Sequence, residues 1–494
     1  MYYLGYDIGS SSIKLSLVDY QTGKSLGVLS YPDTEMEMVA VQNGWAEQDP
    51  DLWWNYLCEA TSKLLRESNV SAERIQGIGI AYQMHGLVLV DKEGTPLRPS
   101  IIWCDSRAVG IGNQAYEDLG EDYCGAHYLN SPGNFTASKL KWVADNEPEL
   151  YSKVYKFMLP GDYIAYKLSG KLQTTVSGLS EGIFWDFKNE SLADSLMKYY
   201  GIDSNLVPEI VPTIGLQSKL SEAGAKAVGL AEGTPIFYRA GDQPNNALSL
   251  NVLKPGEVAA TGGTSGVVYA VTDQLSVKEC SKVNNFAHVN YTPENNHIGK
   301  LLCINGSGIL YRWMKDNLDV DSYQQMNQLA ETVSIGSEGL SILPFGNGAE
   351  RMLENVNLGA HIEGLHLNAH NKSHLCRAAL EGIAFSFVYG MELMKNDGVN
   401  LSMIKAGDDN LFRSQIFSET IATLMDVEIK IFHTTGAIGA ARACNLVKGD
   451  TDSFFALIEE NDYKMSYQPK DNKEAFKSAY MLWKKRLEHK LKEE

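Results

Sequence analysis

Residues 7–12 read Asp-Ile-Gly-Ser-Ser-Ser and set a carboxylate beside a turn of glycine and small hydroxyl residues. Gly9 to Ser12 carry no bulky side chain, so backbone N–H groups and hydroxyls there can approach an anion closely. A carboxylate next to a bound anion makes sense when a divalent cation such as Mg2+ lies between them. An ordinary hairpin turn has the same composition, and on these residues alone it stays open. The stretch ATGGTSGVVYAVTD at 260–273 repeats YDIGSSSIKLSLVD at 6–19: Gly263 falls on Gly9, Thr264 on Ser10, Ser265 on Ser11 and Asp273 on Asp19. Asp242 closes the apolar run TPIFYRAGD, at the carboxyl end of an expected strand where α/β proteins commonly place their sites; an N-cap role is the alternative. YQMHG at 82–86 follows another expected strand, with Met84 and His85 readable either as ligand contacts or as core filler and loop histidine.

The elements that must carry these residues follow from periodicity. Tyr3, Leu4, Tyr6 and Ile8 suit one strand, and Ile13, Leu15 and Leu17 alternate with Lys14 and Ser16 in the next, so residues 3–20 form a hairpin. KSLGVLSYP adds a third strand, DPDLWWNYLCEATSKLLRES a helix opened by Asp49-Pro50, and IQGIGIAYQ a fourth strand. After the second hairpin, SMIKAG and VEIKIF read as strands, and LFRSQIFSETIATLM and TTGAIGAARACNLV as helices. NKEAFKSAYMLWKKRLEHKLKEE reads as a charged amphipathic packing helix. Two hairpins opening two α/β halves, 1–250 and 251–494, would each lend one loop to an anion held in a cleft.

A chain of 494 residues is too long for one ordinary core. Lys plus Arg number 43 against 61 Asp plus Glu, a formal charge of −18, which excludes nucleic acid and anionic membrane surfaces as main partners. The start MYYLGYDIGS lacks secretory features and no apolar run is long enough to span a bilayer, so a cytoplasmic protein is expected. The 7 Cys are scattered without C-x-x-C spacing and read as reduced thiols. His366, His370 and His374 recur every four residues, but Asn368, Asn371 and Lys372 make the stretch a loop entering a helix near His374, not a metal site. No G-x-x-x-x-G-K-[ST] occurs, which removes a Walker-type loop as the phosphate cradle.

GWAEQDPDLWW, IIWCDSR, FTASKLKWV, LPGDYI, AGDQPNNAL, TGGTSG and GLHLNAHNKSHLCRAALEGIAF occur in the order seen in the FGGY carbohydrate kinases, which the chain resembles along nearly its whole length. The resemblance implies two duplicated actin/sugar-kinase-like (ribonuclease H-like) domains flanking a nucleotide cleft, with ATP and Mg2+ as cofactors. It implies Asp242 as general base, hydrogen-bonded to the terminal sugar hydroxyl. It implies Asp7 facing Mg2+ through water and the reacting phosphate. Gly9, Ser10, Ser11, Gly263, Thr264 and Ser265 are then expected around the β- and γ-phosphates, and Gly306, Asn347, Gly407 and Asn410 around adenosine. At 82–86 the match is to members acting on D-xylulose, which carry Gln-Met-His-Gly where glycerol-specific members carry Arg-Glu, so Met84 and His85 are expected to bind D-xylulose. Alternatives are a kinase for ribulose or fuculose, or an ATP-gated binding protein of the actin or chaperone type. A homodimer is one option for assembly. The chain departs from the family at Asp408, where a second glycine is usual, and at Gly161, where a lysine is common.

Overall fold

The computed structural model describes residues 1–275, 277, 278 and 280–493. The first sheet contains β1 (Tyr2–Ile8), β2 (Ile13–Asp19), β3 (Ser25–Tyr31), β4 (Ile75–Tyr82), β5 (Ile214–Lys219) and β6 (Pro235–Gly241), in the order β5-β6-β4-β1-β2-β3. β1 pairs antiparallel with β2 and parallel with β4, and β6 lies parallel to β4. The three central parallel strands are covered on both faces, which is why they read as nearly unbroken apolar or small-residue runs. Their register aligns their ends: Ile8 lies opposite Tyr82, and Tyr82 opposite Gly241. The segments that follow, Gly9 to Ser12, Gln83 to His85 and Asp242, therefore leave one edge of the sheet side by side.

Helix α1 (Pro50–Ser68) starts where Asp49 Oδ1 accepts the Asp51 N–H at 2.9 Å, with proline at the first helical position. Trp53, Leu57, Ala60 and Leu64 form its buried stripe. Helix α2 (Asp242–Ser249) begins two residues before Pro244, with Gly241 as N-cap. Proline fits inside this first turn because N–H groups there lack intrahelical partners.

The second sheet repeats the plan with β7 (Glu257–Gly262), β8 (Gly266–Thr272), β9 (Asn284–Ala287), β10 (Ile298–Ile304), β11 (Met403–Gly407), β12 (Ile429–Phe432) and β13 (Tyr463–Tyr467), ordered β9-β10-β8-β7-β11-β12-β13. β8 pairs antiparallel with both β10 and β7, and β11 and β12 continue parallel to β7. This matches β3-β2-β1-β4-β6 strand for strand, so the repeat seen in two short hairpins extends to both sheets.

The helices of this half are α3 (Ser307–Asn317), α4 (Lys372–Asn396), α5 (Gln415–Met425), α6 (Gly436–Ala443) and α7 (Lys473–Glu493). Asn371 caps α4 by accepting the Ser373 N–H at 2.9 Å, and His374 completes the cap from the third helical position. α5 starts at Gln415, later than the sequence pattern suggests, because Asp409 accepts the N–H groups of Leu411 and Phe412 and braces a turn there. α7 buries Phe476, Tyr480, Trp483 and Leu487, and Trp483 donates to the Ile342 carbonyl at 2.9 Å. Among the described residues, no helix is long and apolar enough to cross a membrane.

α6 belongs by sequence to the second half but packs on β1, β2 and β4 of the first, against α2. This crossing needs backbone-to-backbone approach. A methyl at Gly5 would overlap the Ala437 carbonyl oxygen, one at Gly79 that of Ala440, and one at Gly439 the Ser249 hydroxyl. The Gly/Ala composition of α6 is thus a packing requirement.

Candidate active site

The first hairpin tip is closed by Gly9 N–H donating to the Ser12 carbonyl at 3.1 Å. Gln48 anchors it from behind: its Nε2 donates to the Ser10 carbonyl at 2.7 Å, while its Oε1 accepts from Trp53 Nε1 at 3.1 Å and Gln83 Nε2 at 3.3 Å. Tip, α1 and the residues after β4 are therefore one unit. The segments carrying Gln48 and Trp103 are held by Arg107, whose buried side chain pairs at 2.7 Å with both Glu47 and Asp105 and stacks 3.8 Å from the Trp45 ring centre. Trp103 itself is 53% exposed and donates from Nε1 to Ser10 Oγ at 3.3 Å.

Asp7 stands at the end of β1, and burial pushes its carboxyl pKa up. A methyl on Gly436, the first residue of α6, would press against this carboxylate. Asp242 is pushed up to about 7, by burial first and then by the charge of Asp7. Two carboxylates close enough to influence each other form a place for a proton or a cation.

Asp242 shares a cavity of about 410 Å3 with Met84, His85, Trp103 and Phe135 of the first half. Ser265, Cys303, Asn305 and Arg351 of the second half close it. His85 has left-handed backbone geometry, φ 62°. Its Nδ1 lies 3.0 Å from the Glu181 carbonyl oxygen, so Nδ1 carries the proton and Nε2 is left as an acceptor. Burial holds the imidazole neutral, with its pKa lowered to about 3. Lys139 Nζ donates to the His85 carbonyl at 2.8 Å and to that of Ile102 at 3.0 Å, and burial lowers it to about 7. Arg351 donates from Nη2 to the Cys280 carbonyl at 3.0 Å, while its buried Nε has no hydrogen-bond partner.

A second cavity, about 200 Å3, lies between the tip of the second hairpin, α3 and the turn after β11. Gly263, Thr264, Gly308, Arg312, Tyr323 and Asn410 line it. Ile309 N–H donates to the Thr264 carbonyl at 3.0 Å, and a methyl at Gly308 would overlap the Gly263 carbonyl, so the start of α3 is pressed onto the tip. Asp409 Oδ2 accepts the Gly262 N–H at 2.6 Å and ties the turn to the same tip.

The expected residues fall as follows. Met84, His85, Asp242 and Ser265 meet in the larger cavity, and Gly263, Thr264 and Asn410 in the smaller. The second tip thus stands between the two. Gly9, Ser10 and Ser11 form the other tip. Gly306 instead lines an apolar cavity of about 350 Å3 on the far side of α3. Asn347 is exposed and braces the turn before α3 by donating to the Asn305 carbonyl at 3.2 Å. Gly407 ends β11. Asp408 turns to Arg413 at 2.6 Å and His433 at 3.5 Å, and the Arg413 hydrogen bond lowers its pKa; the cavity is lined by its neighbour Asp409. Gly161 backs onto the Tyr82 ring, which any side chain there would strike. Gln48, Trp103 and Lys139 lie within the motifs that carry the family resemblance, but no local pattern distinguishes them from their neighbours. Glu181 and Arg351 had no local signal, since each gains meaning only from residues distant in the chain.

Two sheets of one strand plan, with a cavity lined from both halves that holds the helix-borne carboxylate Asp242 beside the second hairpin tip, make the duplicated fold of the actin-like class. Residues 2–249 match the N-terminal domain, and 258–446 the C-terminal domain, of the FGGY family of carbohydrate kinases. The chain belongs to that family and is a sugar kinase, with ATP as phosphoryl donor. It is 27% identical to the xylulose kinase of Haemophilus influenzae, covering 97% of this chain and 98% of that protein. It is 28% identical to that of Bacillus subtilis, covering 99% and 97%. Its fold superposes on the crystal structure of xylulose kinase from Rhodospirillum rubrum with TM-score 0.89 at 23% identity, covering 99% of each chain. The Plasmodium falciparum glycerol kinase with ADP gives TM-score 0.85 at 19% identity, over 99% and 98%.

Proposed function

We propose that the chain transfers the γ-phosphoryl group of ATP to the terminal hydroxyl of D-xylulose, giving D-xylulose 5-phosphate and ADP. The observation that carries this reading is the meeting of Met84, His85 and Asp242 in one cavity that also reaches the second hairpin tip. The full-length similarity to xylulose kinases supports the choice of sugar.

In this reading neutral His85 accepts a sugar hydroxyl through Nε2, and Met84 covers the apolar face of the carbon chain. Asp242 accepts the hydroxyl proton as that oxygen bonds to phosphorus and the bond to ADP breaks. A base with a pKa of about 7 is matched to this task near neutrality. The backbone donors of Gly9 to Ser11 and Gly263 to Ser265 hold the phosphates, and Arg312 and Tyr323 offer flat surfaces for adenine. Asp7 fits Mg2+: its carboxylate is partly buried near a second acid, and no hydrogen bond or ion pair engages it among the described residues. No cluster of three or more His, Cys, Asp or Glu able to hold a metal occurs among the described residues. Mg2+ would shield the phosphate charge that Asp7 and Asp242 otherwise repel.

We divide the chain at about residue 250, with sugar contacts mainly before it and adenosine contacts after it. The 7 free cysteines support a cytoplasmic setting. A coupled ATP-consumption assay across D-xylulose, D-ribulose, L-fuculose and glycerol tests the reading. The highest kcat/KM is expected for D-xylulose, and a higher value for another acceptor would reassign the substrate.

A further inference from the structure

Glu181 is only 1% exposed yet forms no ion pair among the described residues. It ends the short helix Val176–Glu181, which lies 96 residues from His85 in the chain. Its carboxylate Oε1 accepts the His85 backbone N–H at 3.3 Å, and its own carbonyl accepts His85 Nδ1–H at 3.0 Å. With Lys139 on the His85 carbonyl, every hydrogen-bonding group of that histidine except Nε2 is engaged. The left-handed φ of 62° is uncommon for a residue other than glycine and costs energy that the surroundings must offset.

The same carboxyl reaches the neighbouring strand. A methyl on Gly241 would overlap Glu181 Oε2 and the Met84 side chain, so this oxygen is packed against the residue that precedes Asp242. Oε2 has no hydrogen-bond partner. One side chain therefore contacts the backbone of His85 and the strand end that carries the base, with Met84 beside it.

We propose that Glu181 is a positioning residue of the phosphoryl-acceptor site, clasping His85 so that Nε2 alone is presented to the ketose and keeping the Met84–His85 turn in register with Asp242. The proposal rests on the reading of this cavity as the ketose site. Its chemistry needs an acceptor at Oε1, not a charge. Glu181→Gln keeps that acceptor; Glu181→Met keeps the volume and removes it.

The test is a double-mutant cycle on steady-state constants, using whichever ketose the wild-type enzyme turns over best, so that an error in the sugar is separated from an error here. Glu181→Met is expected to raise KM for the ketose about tenfold or more with KM for ATP within about twofold, and Glu181→Gln to stay within about threefold of wild type. His85→Ala should raise the ketose KM by a similar factor, and Glu181→Met/His85→Ala no further, because both single changes remove one interaction. If the two effects multiply, or if Glu181→Gln with an unchanged Tm is as impaired as Glu181→Met, the positioning role is wrong. Should Glu181→Met fail to fold, Glu181→Asp, which withdraws the carboxyl from His85, takes its place in the cycle with the same two outcomes.

Discussion

Laid over one another, the first half of the molecule has Asp7 where the second has Thr261, and Asp242 where the second has Gly436. The frame around these positions is the same: a hairpin, two further parallel strands and a helix starting at the last strand's end. Both halves thus carry a small-residue tip, but the acids proposed to act in the reaction, Asp7 and Asp242, come from one. Carboxylates at all four positions would crowd negative charge around a polyphosphate. The second half also makes room for the first, since Gly436 lies where a side chain would press on Asp7. Its own acid at the site, Asp409, is spent on backbone N–H groups of Gly262, Leu411 and Phe412. Duplication supplied a symmetric cradle, and function lies in the departures from symmetry.

The largest break in this comparison is expected at Asp242. Asp242→Asn removes the proton acceptor and should lower kcat by about 10² to 10⁴ with little change in ATP affinity. Near-wild-type kcat in the folded variant would send the search to another carboxylate. The wild-type kcat should fall as pH drops through about 7, as the base becomes protonated. Stability runs the other way. The folded pKa is raised, so the protonated form's advantage is complete below the ordinary carboxylate pKa of about 4 and is lost as pH rises through about 7. Asp242→Asn should therefore melt above wild type at pH 8, by up to about 4 kcal/mol, and this gain should vanish toward pH 4. Equal melting at both pH values would mean that the wild-type carboxylate is not strained by burial.

Asp7→Asn should lower kcat about 10- to 100-fold, with partial recovery at raised Mg2+ if the carboxylate orients the cation. A defect indifferent to Mg2+ would remove that role. The mirror change, Thr261→Asp, places an acid on the neutral hairpin and should weaken ATP binding about tenfold, read by titration calorimetry. Unchanged affinity would show that the asymmetry of the two hairpins is incidental. The smallest effect belongs to Asp408→Gly. Asp408 is committed to the exposed Arg413, so restoring the family's glycine should change KM for ATP by less than about threefold. A larger change would bring Asp408 into the adenine site.

How much of this was legible in advance differs residue by residue. The repeat was readable because strand, small-residue tip and strand are local patterns, and the Asp49-Pro50 start of α1 is a local capping signal. Boundaries failed where a distant group intervened: α5 starts late because Asp409 braces the preceding turn while also holding Gly262, 147 residues away. The places of two residues expected at adenosine were not legible for a similar reason: Gly306 lines a separate apolar cavity beside α3, and Asn347 donates to the Asn305 carbonyl.

The amino-acid sequence by itself determined the repeated strand, small-residue tip and strand, which are properties of short segments, and through its ordered motifs the resemblance that implies the class of chemistry. Tertiary structure decided what those segments mean together. Asp7 raises the Asp242 pKa only because β1, β4 and β6 end in one row, and His85 acquires its tautomer only because the Glu181 carbonyl lies 3.0 Å from Nδ1. A pKa, a tautomer and a left-handed backbone are set by fields and hydrogen bonds acting over a few ångströms. In this chain those few ångströms join residues about one hundred or more positions apart, a distance that no local pattern spans.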